Sequence, residues 1–168
     1  GGGAILNGKL YVTCGWMGGE LANSMWVLDI TNPDAKWQPC QPLPGRPRAF
    51  PAVAACGDAL YLLGGMSPDA EGKSLNVLQD AYRYSPQQDT WTRLNDLPWK
   101  GYGWAAQAID NNTLLLAGRA DGTITTEIYR VDVKTMTAAL IGQTVIQTTT
   151  APLVRVTPKE FWLIGGEP

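Results

Sequence analysis

Short apolar runs separated by Gly-, Pro- and Asp-containing turns set the rhythm of this chain, and the stretch from 48 to 98 shows it most clearly. Ala52-Val53-Ala54-Ala55-Cys56 has the length and composition of a strand, and Gly57-Asp58 is a hairpin turn signal. Ala59 to Gly65 predicts the second strand, ending at a glycine doublet. The polar stretch 66–79, with Pro68, Asp69 and Gly72, predicts a loop. Asp80 to Tyr84 predicts a third strand carrying Tyr82 and Tyr84, Ser85 to Asp89 a turn, and Thr90 to Leu94 a fourth strand. Tyr84 and Trp91 flank that turn, where aromatics on adjacent strands can pack together.

The pattern repeats. Leu60-Tyr61-Leu62-Leu63-Gly64-Gly65 has counterparts in Leu10-Tyr11-Val12-Thr13-Cys14-Gly15, Thr113-Leu114-Leu115-Leu116-Ala117-Gly118 and Phe161-Trp162-Leu163-Ile164-Gly165-Gly166. The final glycines fall at 15, 65, 118 and 166, a period of about 50 residues. Four short strands per period predict an all-β fold, a kelch-type β-propeller. The units span 3–45, 46–99 and 100–148, followed by a partial unit at 150–168, so about three and a half four-stranded blades are present. Trp26 and Trp37 belong to the third and fourth strands of the first unit. The third unit is degenerate: Ala138 stands seven residues after Val131, where Trp91 stands seven after Tyr84. Glycine suits the tight exit from the second strand because it tolerates positive φ and close backbone approach.

Composition narrows the chemistry. Of 168 residues, 17% are charged, the net charge is −2 and no Lys/Arg cluster occurs, which argues against a nucleic-acid surface. No apolar run of 18 residues exists, so no membrane span is expected. Cys14, Cys40 and Cys56 are far apart and form no CxxC motif; all three read as reduced core cysteines on strands. The chain has no histidine, which removes Ser-His-Asp triads and His-based zinc or copper sites from this stretch. No GxxxxGK[ST] string occurs, and no cofactor or metal is expected. A closed propeller has four to eight blades. Three and a half leave a blade face and strand edges open, an association surface. The stretch is therefore expected to be part of a longer propeller; completion of a ring by two chains, a self-association, is the alternative.

Several segments carry a narrower resemblance. They are Trp37 to Phe50 (Trp-Gln-Pro-Cys-Gln-Pro-Leu-Pro-Gly-Arg-Pro-Arg-Ala-Phe), Leu62 to Gly72, Val77 to Pro86 with Trp91, and Phe161 to Glu167. In order and spacing they resemble the N-terminal half of the N-acetylneuraminate epimerase family, most closely over 37–99; the family's long insertion is absent from the third unit. The resemblance implies a six-bladed ring, a periplasmic or otherwise extracytoplasmic bacterial location, and interconversion of sialic acid anomers. It also implies that Glu167 is the proton acceptor. The family's arginine, a few residues further on, falls past Pro168, the last residue of the sequence.

Mutarotation requires a base for the anomeric hydroxyl proton and an acid for the ring oxygen. Glu167, just after a second-strand glycine doublet, stands where propeller loops open onto one face. Arg48 and Arg46 flank Pro47 before an innermost strand and are candidates for the sugar carboxylate, or else surface arginines paired with a neighbouring blade. Tyr102 and Trp104 are candidates for stacking on the sugar ring, with packing between blades as the plainer role. Arg119 follows Ala117-Gly118, which aligns it with Glu167; Trp16 and Met66 hold the matching positions in the first two units. The alternative to an enzyme is a non-catalytic kelch propeller that binds a protein or carbohydrate.

Overall fold

The computed structural model describes residues 1–168 and contains only β-strands, turns and loops. Three four-stranded antiparallel sheets follow one another along the chain. The first comprises β1 (Gly2–Leu6), β2 (Lys9–Met17), β3 (Glu20–Asp29) and β4 (Gln38–Cys40). The second comprises β5 (Ala52–Cys56), β6 (Ala59–Pro68), β7 (Leu75–Ser85) and β8 (Thr90–Arg93). The third comprises β9 (Ala105–Ala108), β10 (Thr113–Ala117), β11 (Glu127–Asp132) and β12 (Ala138–Gln143). A two-stranded sheet, β13 (Leu153–Thr157) with β14 (Glu160–Leu163), ends the chain. Within each sheet, strands pair in sequence order. First strands of successive sheets touch, β1 on β5, β5 on β9 and β9 on β13, so they form the inner wall of a partial propeller.

Because a strand's side chains alternate, each blade offers one face to each neighbour. Tyr11 and Met25 of the first sheet pack on Leu60 and Tyr84 of the second. On the opposite face of the second sheet, Tyr61, Leu63 and Ala81 join Leu114, Leu116 and Val131 of the third in the largest core cluster. The core therefore lies between blades, as stacked repeats require. Both ends of the arc carry exposed apolar residues: Ile5, Val12 and Trp26 on the first sheet, and Val154 and Trp162 on the last, with Ile164 just beyond it.

Two sequence expectations are revised. The stretch 66–79 is mostly strand: β6 runs to Pro68 and β7 begins at Leu75. The tip between them is closed by Asp69, whose N–H donates to the Ser74 carbonyl and whose carboxylate accepts the Ser74 hydroxyl. Cross-strand pairing from Gly65↔Leu78 to Pro68↔Leu75 overrides the polar composition. Trp37 lies one residue before β4 rather than on it. The three cysteines sit on β2, β4 and β5 without disulfides, but only Cys56 is a core residue; Cys14 and Cys40 are half-buried, against the expectation.

Candidate functional site at the head of the inner strands

The inner strands line an open channel of about 710 Å³. Its wall is built of small residues, among them Gly2, Ala4, Ala54, Ala105 and Ala106, because neighbouring inner strands converge there. At the channel's head a single backbone device recurs. Ala49 and Met66 exchange both backbone hydrogen bonds at 2.8 Å; Tyr102 and Ala120 do the same at 2.9 and 3.0 Å, and Thr149 and Glu167 at 2.9 Å. The next residue in each blade is left-handed: Phe50 (φ 52°), Gly103 (φ 69°) and Thr150 (φ 56°). That conformation links the blades. Gly103 N–H donates to the Phe50 carbonyl at 3.0 Å, and Thr150 N–H to the Gly103 carbonyl at 2.6 Å.

These pairings correct the repeat alignment. Leu62 and Leu63 pair with Tyr82 and Ala81, as Leu116 and Ala117 pair with Tyr129 and Ile128. Gly118 thus matches Gly64, and Ala120, not Arg119, shares the rim position of Met66 and Glu167. A Cβ on Gly64 would lie 2.4 Å from the Gly101 carbonyl oxygen, and one on Gly118 would lie 2.9 Å from that of Thr148, the same approach to the next blade. Aligning final glycines displaced the third unit by one residue. The triplet Leu114-Leu115-Leu116, set against Leu60-Tyr61-Leu62, carries the true register.

Glu167 sits on this rim, exposed, with its backbone fixed by Thr149. The glycine before it is obligatory, since a Cβ on Gly166 would lie 2.2 Å from the Thr148 hydroxyl oxygen. The Glu167 carboxylate takes part in no ion pair, unlike the acidic partners of Arg48 and Arg119.

Arg48 is different. It is 0% exposed and donates to both Asp80 carboxylate oxygens, at 2.6 and 2.8 Å. It also donates to the Gly64 carbonyl at 3.0 Å and the Arg46 carbonyl at 3.1 Å, and its guanidinium lies 5.5 Å from the Tyr82 ring centre. These bonds occupy four of its five N–H donors. Arg48 is therefore a clamp within the second blade, with no face open to a carboxylate from solution. Sequence gave no sign of Asp80, 32 residues away.

Arg46 is exposed and borders a second, polar depression with Asp80, Arg93, Asp96 and Lys100. Arg93 and Gln79 hold Asp96, lowering its carboxyl pKa. Arg119 is 8% exposed and paired with Asp121 and Glu127. Burial opposes its charge, but hydrogen bonds to those carboxylates outweigh the effect and raise its pKa. Trp104 is buried, packs against Trp99 with ring centres 5.1 Å apart, and points its N–H at the Leu63 carbonyl, 3.3 Å away. Its main role is packing between the second and third blades. Tyr102 is half-buried on the rim, with its ring 6.5 Å from that of Phe50. The structure thus places Tyr102 and Glu167 on the paired rim, next to the channel-lining residues Gly103 and Thr150, leaves Arg46 beside the polar depression, buries Trp104 between blades at the channel wall, and seals Arg48 and Arg119 inside their own blades. Phe50 and Thr150 belong to the same rim and were not singled out from sequence.

Comparison with known proteins agrees with this architecture. A family model described as N-acetylneuraminate epimerase matches residues 1–161. An N-acetylneuraminate epimerase of Haemophilus influenzae (strain PittEE) is 30% identical over 122 residues, covering 73% of this chain and 31% of the relative. One from Yersinia enterocolitica (serotype O:8 / biotype 1B) is 32% identical over 124 residues, with the same coverage. The chain therefore matches about a third of the length of these curated relatives. The solved structure of YjhT has a TM-score of 0.81 to this fold over 99% of this chain and 57% of that one, at 21% identity.

Proposed function

The chain belongs to the N-acetylneuraminate epimerase family, and from that premise we propose that it contributes the first half of a sialic acid mutarotase site, with Glu167 as the base. The observation that carries this reading is the rim register. Of the three residues that share the paired rim position, Met66, Ala120 and Glu167, only Glu167 can take a proton, and its carboxylate is exposed and free of ion pairs.

The chemistry is modest. The Glu167 carboxylate accepts the proton of the anomeric hydroxyl while water protonates the ring oxygen, and the C–O bond of the ring breaks. The open-chain ketone turns about its carbon–carbon bond, the ring closes on the other face, and the two protons return. No net oxidation occurs and no cofactor is needed. The substrate's own carboxylate needs a cation. Arg46 and Lys100, both exposed in the polar depression, are the candidates for that role. Arg48 and Arg119 serve the reaction by fixing the blade heads.

Three full sheets and a half-sheet over 57% of the solved relative's length scale to about six blades, which supports a six-bladed ring in this reading. An extracytoplasmic bacterial location belongs to the same reading and rests on the family resemblance.

The test is a proton NMR time course. Sialic acid is presented as its α anomer, and α and β signals are followed with and without the protein. Equilibration faster than in buffer is expected. Identical rates with folded protein would contradict the proposal.

A further inference from the structure

The head of each inner strand needs a left-handed residue so that its carbonyl can accept the next blade's N–H. Glycine meets this requirement at least cost, and the third blade uses Gly103 (φ 69°). The second blade uses Phe50 at φ 52°. A bulky side chain in that region is a true outlier. Pro51 follows it, and a residue before proline is itself confined towards extended backbone. Strain of this kind persists where the surroundings fix it, and it concentrates at ligand sites.

Packing does not explain the phenylalanine. Its side chain is 43% exposed and stands among the channel-lining residues rather than in any core cluster. Its ring meets Tyr102 at 6.5 Å and an interplanar angle of 53°. Tyr102 is itself held by two backbone hydrogen bonds to Ala120. The two aromatics therefore form a half-wet ledge, with Phe50 on the channel wall and Tyr102 beside it at the bridge position that pairs with Ala120, the counterpart of the Thr149–Glu167 pair. Aromatic faces at the mouth of a pocket take apolar C–H surfaces, and the small polar set around them orients the ligand.

We infer that Phe50 and Tyr102 form a stacking platform for the C–H face of a pyranose ring, holding the sugar over the channel head. This inference rests on the proposed sugar substrate but not on catalysis. A platform aligns a ring; it moves no proton. Phe50 is thus a binding residue that costs the fold backbone strain.

The test separates binding from turnover by using the methyl α-glycoside of N-acetylneuraminate, whose anomeric centre is locked. Binding is measured by calorimetry, and contact by saturation transfer from aromatic protons to sugar ring protons. Wild type, Phe50→Gly and Tyr102→Leu are compared. Phe50→Gly is expected to melt no lower than wild type, because glycine relieves the left-handed strain, yet to bind about tenfold more weakly and lose most of the transfer. Tyr102→Leu should weaken binding in the same direction. Unchanged affinity and transfer in Phe50→Gly would overturn the platform, as would a wild type that does not bind the glycoside. Platform behaviour in a protein that fails to speed anomer exchange would uphold this inference while contradicting the mutarotase reading.

Discussion

The second and fourth blades build the same turn at the head of the inner strand and place opposite groups in it. Where the second blade has Arg48, the fourth has Thr148; where the second has Met66, the fourth has Glu167. The second blade's charge is sealed, its guanidinium neutralised by Asp80 and bonded to two carbonyls. The fourth blade's charge stays in water without a partner. An ion whose solvation shell has been replaced by fixed partners serves the fold; one that keeps its solvent face is available for proton transfer. The same backbone thus carries a sealed ion in one blade and a solvent-facing one in the other, and residue type alone does not say which is which.

The largest expected effect breaks the sealed side. Arg48→Met leaves Asp80 without its counter-charge and should cost about 3–5 kcal/mol in urea denaturation. Adding Asp80→Leu should recover much of that loss, since apolar replacement of both partners of a buried pair is often neutral. If Arg48 were instead an anion ligand, Arg48→Met would keep its stability and lose only sugar affinity.

A smaller effect probes how the first and second blades are joined. Tyr84 is buried and donates its hydroxyl to Asp89 at 2.6 Å, and Asp89 also accepts the Gln41 N–H at 2.9 Å. Burial, reinforced by Asp89, pushes the Tyr84 phenol far above its ordinary pKa. Tyr84→Phe should cost about 1.5–3 kcal/mol in the same denaturation experiment, the range for a hydrogen bond to a charged acceptor. A variant as stable as wild type would show that this contact adds nothing to the joint between blades.

The smallest effect is a pH dependence of the core between the second and third blades. Burial, with Asp110 nearby, raises the Cys56 thiol from 9.0 to about 11. Between those values the unfolded chain has released the proton and the folded chain retains it, so stability falls as pH rises from 9 to about 11. Below 9 both states keep the proton and this contribution is constant. Cys56→Ala should flatten that part of a melting-temperature profile. An equal alkaline slope in the variant would assign it to other groups.

The blade count and most strand positions were legible because alternation, turn residues and the repeated second strand all point to one architecture. Cys56, Trp91 and Ala138 stand on the strands their spacing implies. The half-strand Leu75–Gln79 was not legible, since its polar residues pair as strand only because β6 runs beside them. The site was legible in part. Glu167 and Tyr102 reach the rim, but the roles of Arg48 and Arg119 depended on Asp80, Asp121 and Glu127. Such pairings are made by the fold and leave no periodic trace in the sequence. The one-residue offset of the third blade also stayed hidden behind Gly118, because glycine marks the general place where the second strand exits without fixing its register.

The most direct test of the contrast between the sealed arginine and the open glutamate is sialic acid anomer exchange, measured by NMR for wild type and Glu167→Gln, with thermal melting of both. An exposed, unpaired carboxylate contributes little to folding, so the variant should melt within about 0.5 kcal/mol of wild type. Its catalysed exchange should fall about 10²–10⁴-fold, to the buffer rate. A variant that keeps wild-type exchange would contradict the assignment of Glu167 as the base, and one that unfolds would place Glu167 with Arg48 as a structural residue.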